Sequence, residues 1–323
     1  MKVVTKSERL KGLLFGLAVG DAMGVPFEFM QPKQIENEQF LKMKGFDTYN
    51  QPPGSFSDDT SMTVCLIESL INKYSQKETA DLFIKWKNED YWTANNETFD
   101  IGITTNIALV NIGNGIPIDK AAPRDERSCG NGALMRILPI AFYIDDLTLE
   151  EAYDLIVKYA CITHGHIRSH MACFYLVLFA NKLLKTENNN LENKLECFKK
   201  TTVEVKHFFN SKDEFKNEII HFERLFNYFP NELKDIKNTG YVINSLELTL
   251  NMFLKYDSYE NVVINTIKAG GDTDTNACIS GGLIGLYNGF IDIPQDWLKD
   301  LLRKDDFEKL YHEWSDSLYL ILT

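Results

Sequence analysis

The chain has 323 residues, of which 34 are Lys or Arg and 46 are Asp or Glu, so its formal net charge is −12. This acidic balance argues against a protein that neutralises nucleic-acid phosphates with a cationic surface. A hydrophobic fraction of 44% excludes bulk disorder, and we find no stretch that approaches the roughly 18 apolar residues of a membrane span.

The N-terminal segment is basic and then apolar, with three lysines and one arginine ahead of the apolar run 13–20. This order is typical of a short signal peptide, but Asp21 follows the run at once. Ser7 could cap a helix here, and the apolar residues that follow recur at helical spacing. We therefore favour a core helix over a signal peptide.

Helical periodicity continues along most of the chain, and period-2 alternation is scarce. The polar stretch 185–200 predicts a solvated loop or an exposed helix, and no linker or internal repeat divides the chain. The sequence therefore predicts an all-α fold with one domain over residues 1–323. The predicted helices cover residues 60–74, 150–162, 170–185, 245–256 and 260–268, together with a phenylalanine-rich helix face from Phe215 to Phe229.

Two acidic clusters stand behind glycine where helices should begin. Asp58 and Asp59 follow Gly54, and Asp272 and Asp274 follow a Gly-Gly pair. Hard oxygen ligands without Cys or His suit Mg²⁺ or Mn²⁺. Helix capping can explain either cluster alone, but paired acids at both places cost energy unless a cation compensates the charge.

Two further segments are candidates for a site. Glu28 follows Pro26, which predicts a loop position that can face a cleft, although a surface glutamate fits as well. Glycines flank Asn131 ahead of a helical run, and backbone N–H groups at such a start can hold a phosphate. The alternative for this second segment is a plain turn with Arg136 in solvent.

Together these segments resemble the ADP-ribosylglycohydrolase family, of the type that includes dinitrogenase reductase-activating glycohydrolase. The resemblance runs from about Leu10 to Gly289, and the matching strings occur in family order. They are Gly-Asp-Ala-Met-Gly-Val-Pro-Phe-Glu at 20–28, Ser-Asp-Asp-Thr at 57–60, Asp-Ile-Gly at 100–102, Gly-Asn-Gly-Ala-Leu-Met-Arg at 130–136, Thr-His at 163–164, Gly-Tyr-Val at 240–242 and Gly-Gly-Asp-Thr-Asp-Thr at 270–275.

The resemblance implies a compact orthogonal helical domain that binds two divalent cations, Mg²⁺ or Mn²⁺, in a cleft. The metal ligands carried over by position are Ser57, Asp58, Asp59, Asp272, Asp274 and Thr275. The catalytic residues it implies are Glu28, Asp58, Asp274 and Asp100. The residues implied to hold ADP-ribose are Ser128, Gly130, Asn131, Gly132, His164 and Tyr241.

The implied reaction is metal-dependent hydrolysis of the glycosidic bond at C1″ of ADP-ribose, attached to a protein or small molecule. The acidic charge favours an arginine-linked acceptor. We expect a cytoplasmic monomer, no membrane, and nucleic acid only as a modified substrate. The six cysteines form no CxxC pair, which favours reduced, mostly buried thiols.

Three alternatives stay open at this stage. Asp-Thr-Asp-Thr at 272–275 resembles a phosphohydrolase nucleophile string, which normally ends an apolar strand. His164, His166 and His170 could pass for a metal motif, but Gly165 and the lack of a partnering glutamate weaken it. The third alternative is a non-catalytic relative that binds ADP-ribose.

Overall fold

The computed structural model describes residues 4–227 and 236–321. Within these residues the structure has fifteen α-helices, joined by short 3₁₀ turns, and no β-strand, which confirms the predicted all-α fold. The helices are, in chain order, α1 (Lys6–Gly24), α2 (Pro32–Ile35), α3 (Asp58–Asn72), α4 (Gln76–Glu89), α5 (Ile103–Gly113), α6 (Ile118–Ala121), α7 (Leu149–Ala160), α8 (Ile167–Leu184), α9 (Leu191–Asn210), α10 (Glu223–Asn227), α11 (Val242–Lys255), α12 (Tyr259–Lys268), α13 (Thr273–Asn288), α14 (Gln295–Asp300) and α15 (Lys304–Ile321).

The centre of the fold is the packing of α1 against α13. A Cβ atom added to Gly16 of α1 would lie only 2.4 Å from the carbonyl oxygen of Gly281 in α13. The Tyr259 hydroxyl donates to the Gly16 carbonyl oxygen at 2.6 Å, in the same layer. Because no side chain separates the two backbones, the helices approach more closely than ordinary helix pairs do. The glycines of α1 that face α13 are spaced by four residues: Gly12, Gly16, Gly20 and Gly24.

The first helix lies inside the domain. Its N-cap is Thr5, whose hydroxyl accepts from the backbone N–H of Glu8, so the predicted cap at Ser7 was wrong. Contrary to our sequence-based expectation, one segment of the described chain, Lys6–Phe27, is long and apolar enough to cross a membrane by length and composition. Of the apolar 18-residue window in this segment, 94% is buried inside the domain, as expected for a core helix.

The phenylalanine-rich segment differs from its predicted continuous helix. The 3₁₀ turns Asp213–Phe215 and Ile219–Phe222 interrupt it, and only α10 is α-helical. Phe215 and Phe222 are nevertheless buried, so the apolar spacing reported core packing correctly. Phe229 lies outside the described residues.

The other predicted helices coincide with α3, α7, α8, α11 and α12 to within a few residues. The polar stretch 185–200 was predicted to be either a solvated loop or an exposed helix. It is a short loop followed by the first half of α9. The longer helices α4, α5 and α15 lie outside the segments that were predicted to be helical. All six cysteines are free, and five of them are buried.

Candidate active site

An aspartate of α1 holds the amino end of α3. Asp21 Oδ1 accepts from the backbone N–H of Ser57 at 3.0 Å, and Asp21 Oδ2 accepts from the N–H of Thr60 at 3.0 Å and its hydroxyl at 2.6 Å. Backbone N–H groups at a helix start lack intrahelical partners, and the helix dipole favours a negative charge there. Asp21 therefore fixes α3 against α1. Asp21 was not among the predicted site residues, although an acid inside an apolar helix was the available signal.

Carboxylates from α1, α3 and α13 converge beneath a cleft. Oxygen atoms of Asp21, Asp59 and Asp274 lie within 4.8 Å of one another. A second group, within the same distance limit, joins Asp274 to Glu28 and Asp100. Asp274 belongs to both groups, so the structure brings four of the predicted site residues together around one shared carboxylate.

This crowding changes the protonation of the buried acids. Desolvation by burial, and next the charge of Asp21, raise the pKa of Asp59 well above its usual range. Burial, and next the charges of Glu28 and Asp100, raise the pKa of Asp274 in the same way. Each shift reports that the ionised form is disfavoured unless a positive charge is close by.

Three buried carboxylate oxygens fit a cation. Within residues 4–227 and 236–321, no hydrogen-bond partner reaches Asp59 Oδ1, Asp272 Oδ1 or Asp274 Oδ2. A buried polar atom without a partner is costly, and a hard divalent cation is the ligand that carboxylate oxygens prefer. The donor set of the two carboxylate groups contains oxygen alone, and therefore fits Mg²⁺ or Mn²⁺ rather than zinc.

The remaining predicted metal ligands surround this centre. The hydroxyls of Ser57 and Thr275 both donate to Asp59 Oδ2, at 2.8 and 3.3 Å, so they orient that carboxylate. Asp58 and Asp272 line the cleft above it, but neither belongs to the two close carboxylate groups.

Glu28 and Asp100 share a tyrosine that the sequence analysis missed. The Tyr49 hydroxyl lies 2.5 Å from Glu28 Oε2 and 2.6 Å from Asp100 Oδ1. Burial, and next the charge of Asp100, raise the pKa of Glu28 to about 9. Burial and the neighbouring Asp100 also raise the pKa of Tyr49, which keeps its hydroxyl a donor. Nothing in the polar loop around Tyr49 signals this role, because the contact is made only in the fold.

The backbone is strained at Asp100 and next to Glu28. Phe29 and Asp100 are not glycines, yet their φ angles are 64° and 54°, in the left-handed region. Such conformations persist only where the surroundings enforce them. Here the N–H of Phe29 donates to the Gly271 carbonyl at 2.7 Å, and the N–H of Gly271 donates to the Met30 carbonyl at 2.8 Å. These two bonds clamp the loop of Glu28 to the start of α13.

Asn131 joins the glycine-rich loop to the acidic centre. Its side-chain amide donates to Asp272 Oδ2 and to the Ser245 hydroxyl, both at 2.9 Å. Its backbone N–H donates to the Gly240 carbonyl at 3.0 Å, next to an isolated bridge between Gly130 and Tyr241. The loop is thus held from two sides, with residues 130–132 forming part of the cleft wall.

His164 lies against this loop. Burial lowers its pKa to about 3, so the imidazole is neutral. Its Nδ1 atom is 2.9 Å from the Thr163 hydroxyl. The other two histidines of the segment are engaged elsewhere: His166 Nδ1 accepts from the N–H of Arg168, and His170 Nε2 bonds the His164 carbonyl. Neither close carboxylate group among the described residues includes a histidine, so the structure does not favour a histidine metal site.

Arg136 is buried, so the alternative in which it was in solvent was wrong. Its guanidinium donates to the Gly132 carbonyl at 2.9 Å, and to the Tyr159 carbonyl and the Thr163 hydroxyl at 3.0 Å each. Arg136 therefore holds the glycine loop and the His164 segment in one arrangement.

Gly132 is required by this packing. A Cβ atom there would lie 2.7 Å from His164 Cε1, whereas one on Gly130 would lie 3.3 Å from His164 Nε2. We expect Gly132→Ala to displace the imidazole and to weaken binding of the ADP-ribose that the resemblance implies by about tenfold, the equivalent of roughly 1.4 kcal/mol of overpacking. Gly130→Ala should have a smaller effect. Calorimetric titration of both variants checks this ranking, and equal losses would contradict it.

The cleft above these groups has a volume of about 650 Å³, within the range of small-molecule sites. Phe29 and Ile103 give it exposed apolar side chains. Ser128 and Tyr241 are not among the lining residues: the Ser128 hydroxyl donates to Asp125, and the Tyr241 hydroxyl accepts from Arg168. The predicted site residues that do line it are Glu28, Asp58, Asp100, Gly130, Asn131, Gly132, His164, Asp272 and Thr275.

The phosphohydrolase alternative lacks its structural context. The segment before Asp272 is helix α12, followed by two glycines with φ of 68° and 75°, and not an apolar strand. Asp272 and Asp274 are therefore at a helix start, and not at the end of a strand in a sheet.

Comparisons with known proteins agree on one family. The family model described as ADP-ribosylglycohydrolase matches residues 3–320. The chain is 29% identical to the ADP-ribosyl-dinitrogen reductase glycohydrolase of Rhodospirillum rubrum, over 93% of this chain and 92% of that protein. It is 25% identical to the ADP-ribosylarginine hydrolase Tri1 of Serratia proteamaculans, over 94% of this chain and 78% of that protein.

A solved structure is similar over the same extent. The chain in an ADP-ribosylglycohydrolase-related protein complex superposes with a TM-score of 0.78 at 26% identity. The match covers 97% of this chain and 99% of that chain.

Proposed function

Because this chain belongs to the ADP-ribosylglycohydrolase family, we propose that it is a metal-dependent hydrolase that cleaves the bond between C1″ of ADP-ribose and a modified acceptor. The observation that carries the proposal is the shared carboxylate of Asp274, which lies within 4.8 Å of two acidic groups beneath the cleft. Two groups around one carboxylate support two cations, Mg²⁺ or Mn²⁺.

The residues that would hold the cations are those of the two close carboxylate groups, together with Asp58 and Asp272, which line the cleft beside them. When bound, divalent cations supply positive charge that orients hydroxyl groups and lowers the pKa of a water molecule. Residues of the chain itself position the carboxylates. Asn131 orients Asp272, Ser57 and Thr275 orient Asp59, and the clamp at Gly271 holds Glu28 at the cleft wall.

Cleavage at C1″ passes through a transition state with positive charge on the sugar ring. Asp100 offers negative charge at the cleft wall, and Glu28, whose raised pKa keeps a proton on its carboxyl, shares the Tyr49 hydroxyl with it. Glu28 is 6% exposed, which limits competing water, and it is placed in a loop that faces the cleft. We therefore assign it the proton transfer at the reacting bond.

An arginine-linked acceptor fits this site best. A net charge of −12 and a cleft lined by Glu28, Asp58, Asp100 and Asp272 would attract a cationic guanidinium group. We further propose that the protein acts in the cytoplasm, in keeping with its six free cysteines, and that it acts as a monomer.

A hydrolysis panel tests the proposal. The substrates are ADP-ribosylated arginine, serine and a DNA end, O-acetyl-ADP-ribose and p-nitrophenyl phosphate, each with Mg²⁺, Mn²⁺ or a chelator. We expect cation-dependent release of ADP-ribose, fastest from arginine. Release of nitrophenol alone would favour a phosphohydrolase, and a preference for serine would overturn the charge argument.

Glu28→Gln is expected to lower kcat by about 10²- to 10⁴-fold while KM changes little. The amide keeps the shape of the side chain and its contact with Tyr49, but it cannot transfer the proton. Steady-state kinetics on ADP-ribosylarginine measure the split, with the exposed Glu36→Gln as the matched control. A Glu28→Gln variant as active as the wild type would remove Glu28 from catalysis.

A further inference from the structure

Helix α5 carries an exposed apolar face. The side chains of Ile103, Ile107 and Val110 are 81%, 42% and 42% exposed. Their spacing of four and then three residues places them on one side of the helix. Ala108 and Leu109 are buried on the other side, so α5 is already packed and the exposed face is left over.

This face is continuous with the cleft. Residues 102–105, at the start of α5, line the cleft wall, and Ile103 belongs both to that wall and to the apolar face. Ile107 and Val110 then extend the face along the helix, away from the cleft. No residue between 103 and 113 is charged.

We propose that the α5 face, defined as Ile103, Ile107 and Val110, docks the protein that carries the ADP-ribose, by contact with apolar side chains next to the modified residue. The inference rests on the proposed function. The scissile bond joins a ribose in the cleft to an acceptor side chain that leaves through its mouth. The acceptor's backbone must therefore lie at the cleft rim, where α5 begins.

The size and charge of the face favour this occupant over others. The eight helical residues from Ile103 to Val110 make a strip about 12 Å long and about 10 Å wide, or about 120 Å². A stable dimer needs about 800 Å² per partner, whereas a transient enzyme–substrate contact needs less. A membrane surface attracts proteins through Lys and Arg, which α5 lacks, and the chain's charge of −12 opposes anionic lipid.

The test uses three matched substrates: free ADP-ribosylarginine, and two peptides of equal length with ADP-ribosylarginine flanked by leucines or by serines. We expect the wild type to have a KM about tenfold lower for the leucine-flanked peptide, as one or two buried apolar side chains provide. The double variant Ile107→Gln, Val110→Gln should lose this preference and cleave free ADP-ribosylarginine as the wild type does.

The control is the double variant Leu191→Gln, Val203→Gln on α9, whose side chains are 48% and 70% exposed and are not among the residues that line the cleft. It should keep the preference. Equal KM values for the two peptides in the wild type would overturn docking, as would an equal loss on all three substrates in the α5 variant. A mass that changes with concentration only when α5 is intact, or flotation with anionic vesicles, would assign the face to a second copy or to a membrane instead. No cleavage of free ADP-ribosylarginine by the wild type would instead refute the proposed arginine-linked activity on which this inference rests.

Discussion

Asp274→Asn is expected to abolish cation binding and to lower hydrolysis by at least about 10³-fold, the equivalent of several kcal/mol of lost electrostatic stabilisation. Asp274 is the one carboxylate shared by both acidic groups, and its Oδ2 atom has no hydrogen-bond partner among the described residues. The asparagine amide has the same shape as the carboxylate but lacks the negative charge that Asp274 contributes to both groups.

The same substitution should leave the metal-free protein as stable as the wild type, or more stable. Burial, and next the charges of Glu28, Asp100 and Asp59, disfavour the ionised form of Asp274 in the folded state, and the neutral amide is free of both costs. A variant that loses activity but keeps its stability would show that Asp274 acts as a cation ligand, because loss of a structural residue would destabilise the fold.

Thermal unfolding with and without cation measures the difference. At a cation concentration of a hundred times Kd, the wild type should gain about 2.7 kcal/mol, a rise in Tm of roughly 5 °C. Asp274→Asn should show no rise, and the exposed Asp213→Asn should behave as the wild type does. An undiminished cation-induced rise in Asp274→Asn would refute the assignment.

Gly16→Ala is expected to destabilise the protein by about 3 kcal/mol or more, an overpacking cost that is large for one methyl group. The added Cβ atom meets the Gly281 carbonyl oxygen at 2.4 Å. The Cβ position is fixed by the backbone of α1 and the oxygen belongs to the backbone of α13, so neither can rotate away. The helices must separate, and the hydrogen bond from Tyr259 to the Gly16 carbonyl must lengthen.

The matched control is Gly113→Ala at the end of α5, where an added Cβ atom has nothing within 4 Å. It should be neutral or stabilising by about 0.5 kcal/mol, because alanine loses less chain entropy than glycine does. Chemical denaturation gives both values. Equal stability of the two variants would mean that α1 and α13 can adjust their spacing.

Much of the fold followed from local sequence, because each helix buries an apolar stripe that recurs at 3.6 residues. The errors have local causes as well. Thr5 caps α1 in place of Ser7, since either hydroxyl satisfies the same rule. The phenylalanines after residue 213 kept their burial but not their helix, because apolar spacing reports which side chains face the core and not which turn type connects them.

The site was predictable only in part. Asp59, Asp274 and Glu28 stood out in the sequence as acids behind glycine or proline, whereas Asp100 was implied only by the family resemblance. The fold brings these carboxylates together around Asp274. Tyr49 carries no such signal. The roles of Asp21 and of the α1 glycines depend on partners far away in sequence, which no local pattern reveals. The sequence predicted α1 as a core helix, but not that α13 is the helix against which it packs.

The pairing of α1 with α13 also sets the order in which the molecule can be made. The Thr273 hydroxyl donates to the Gly24 carbonyl across 249 positions of sequence. At about 5–20 residues per second, a growing chain supplies this partner only after tens of seconds. Until then α1, an apolar helix that is buried in the finished domain, lacks the surface that covers it, and closing so long a loop makes folding slow. We expect the unfinished polypeptide on the ribosome to be the aggregation-prone form of this protein and to require a chaperone.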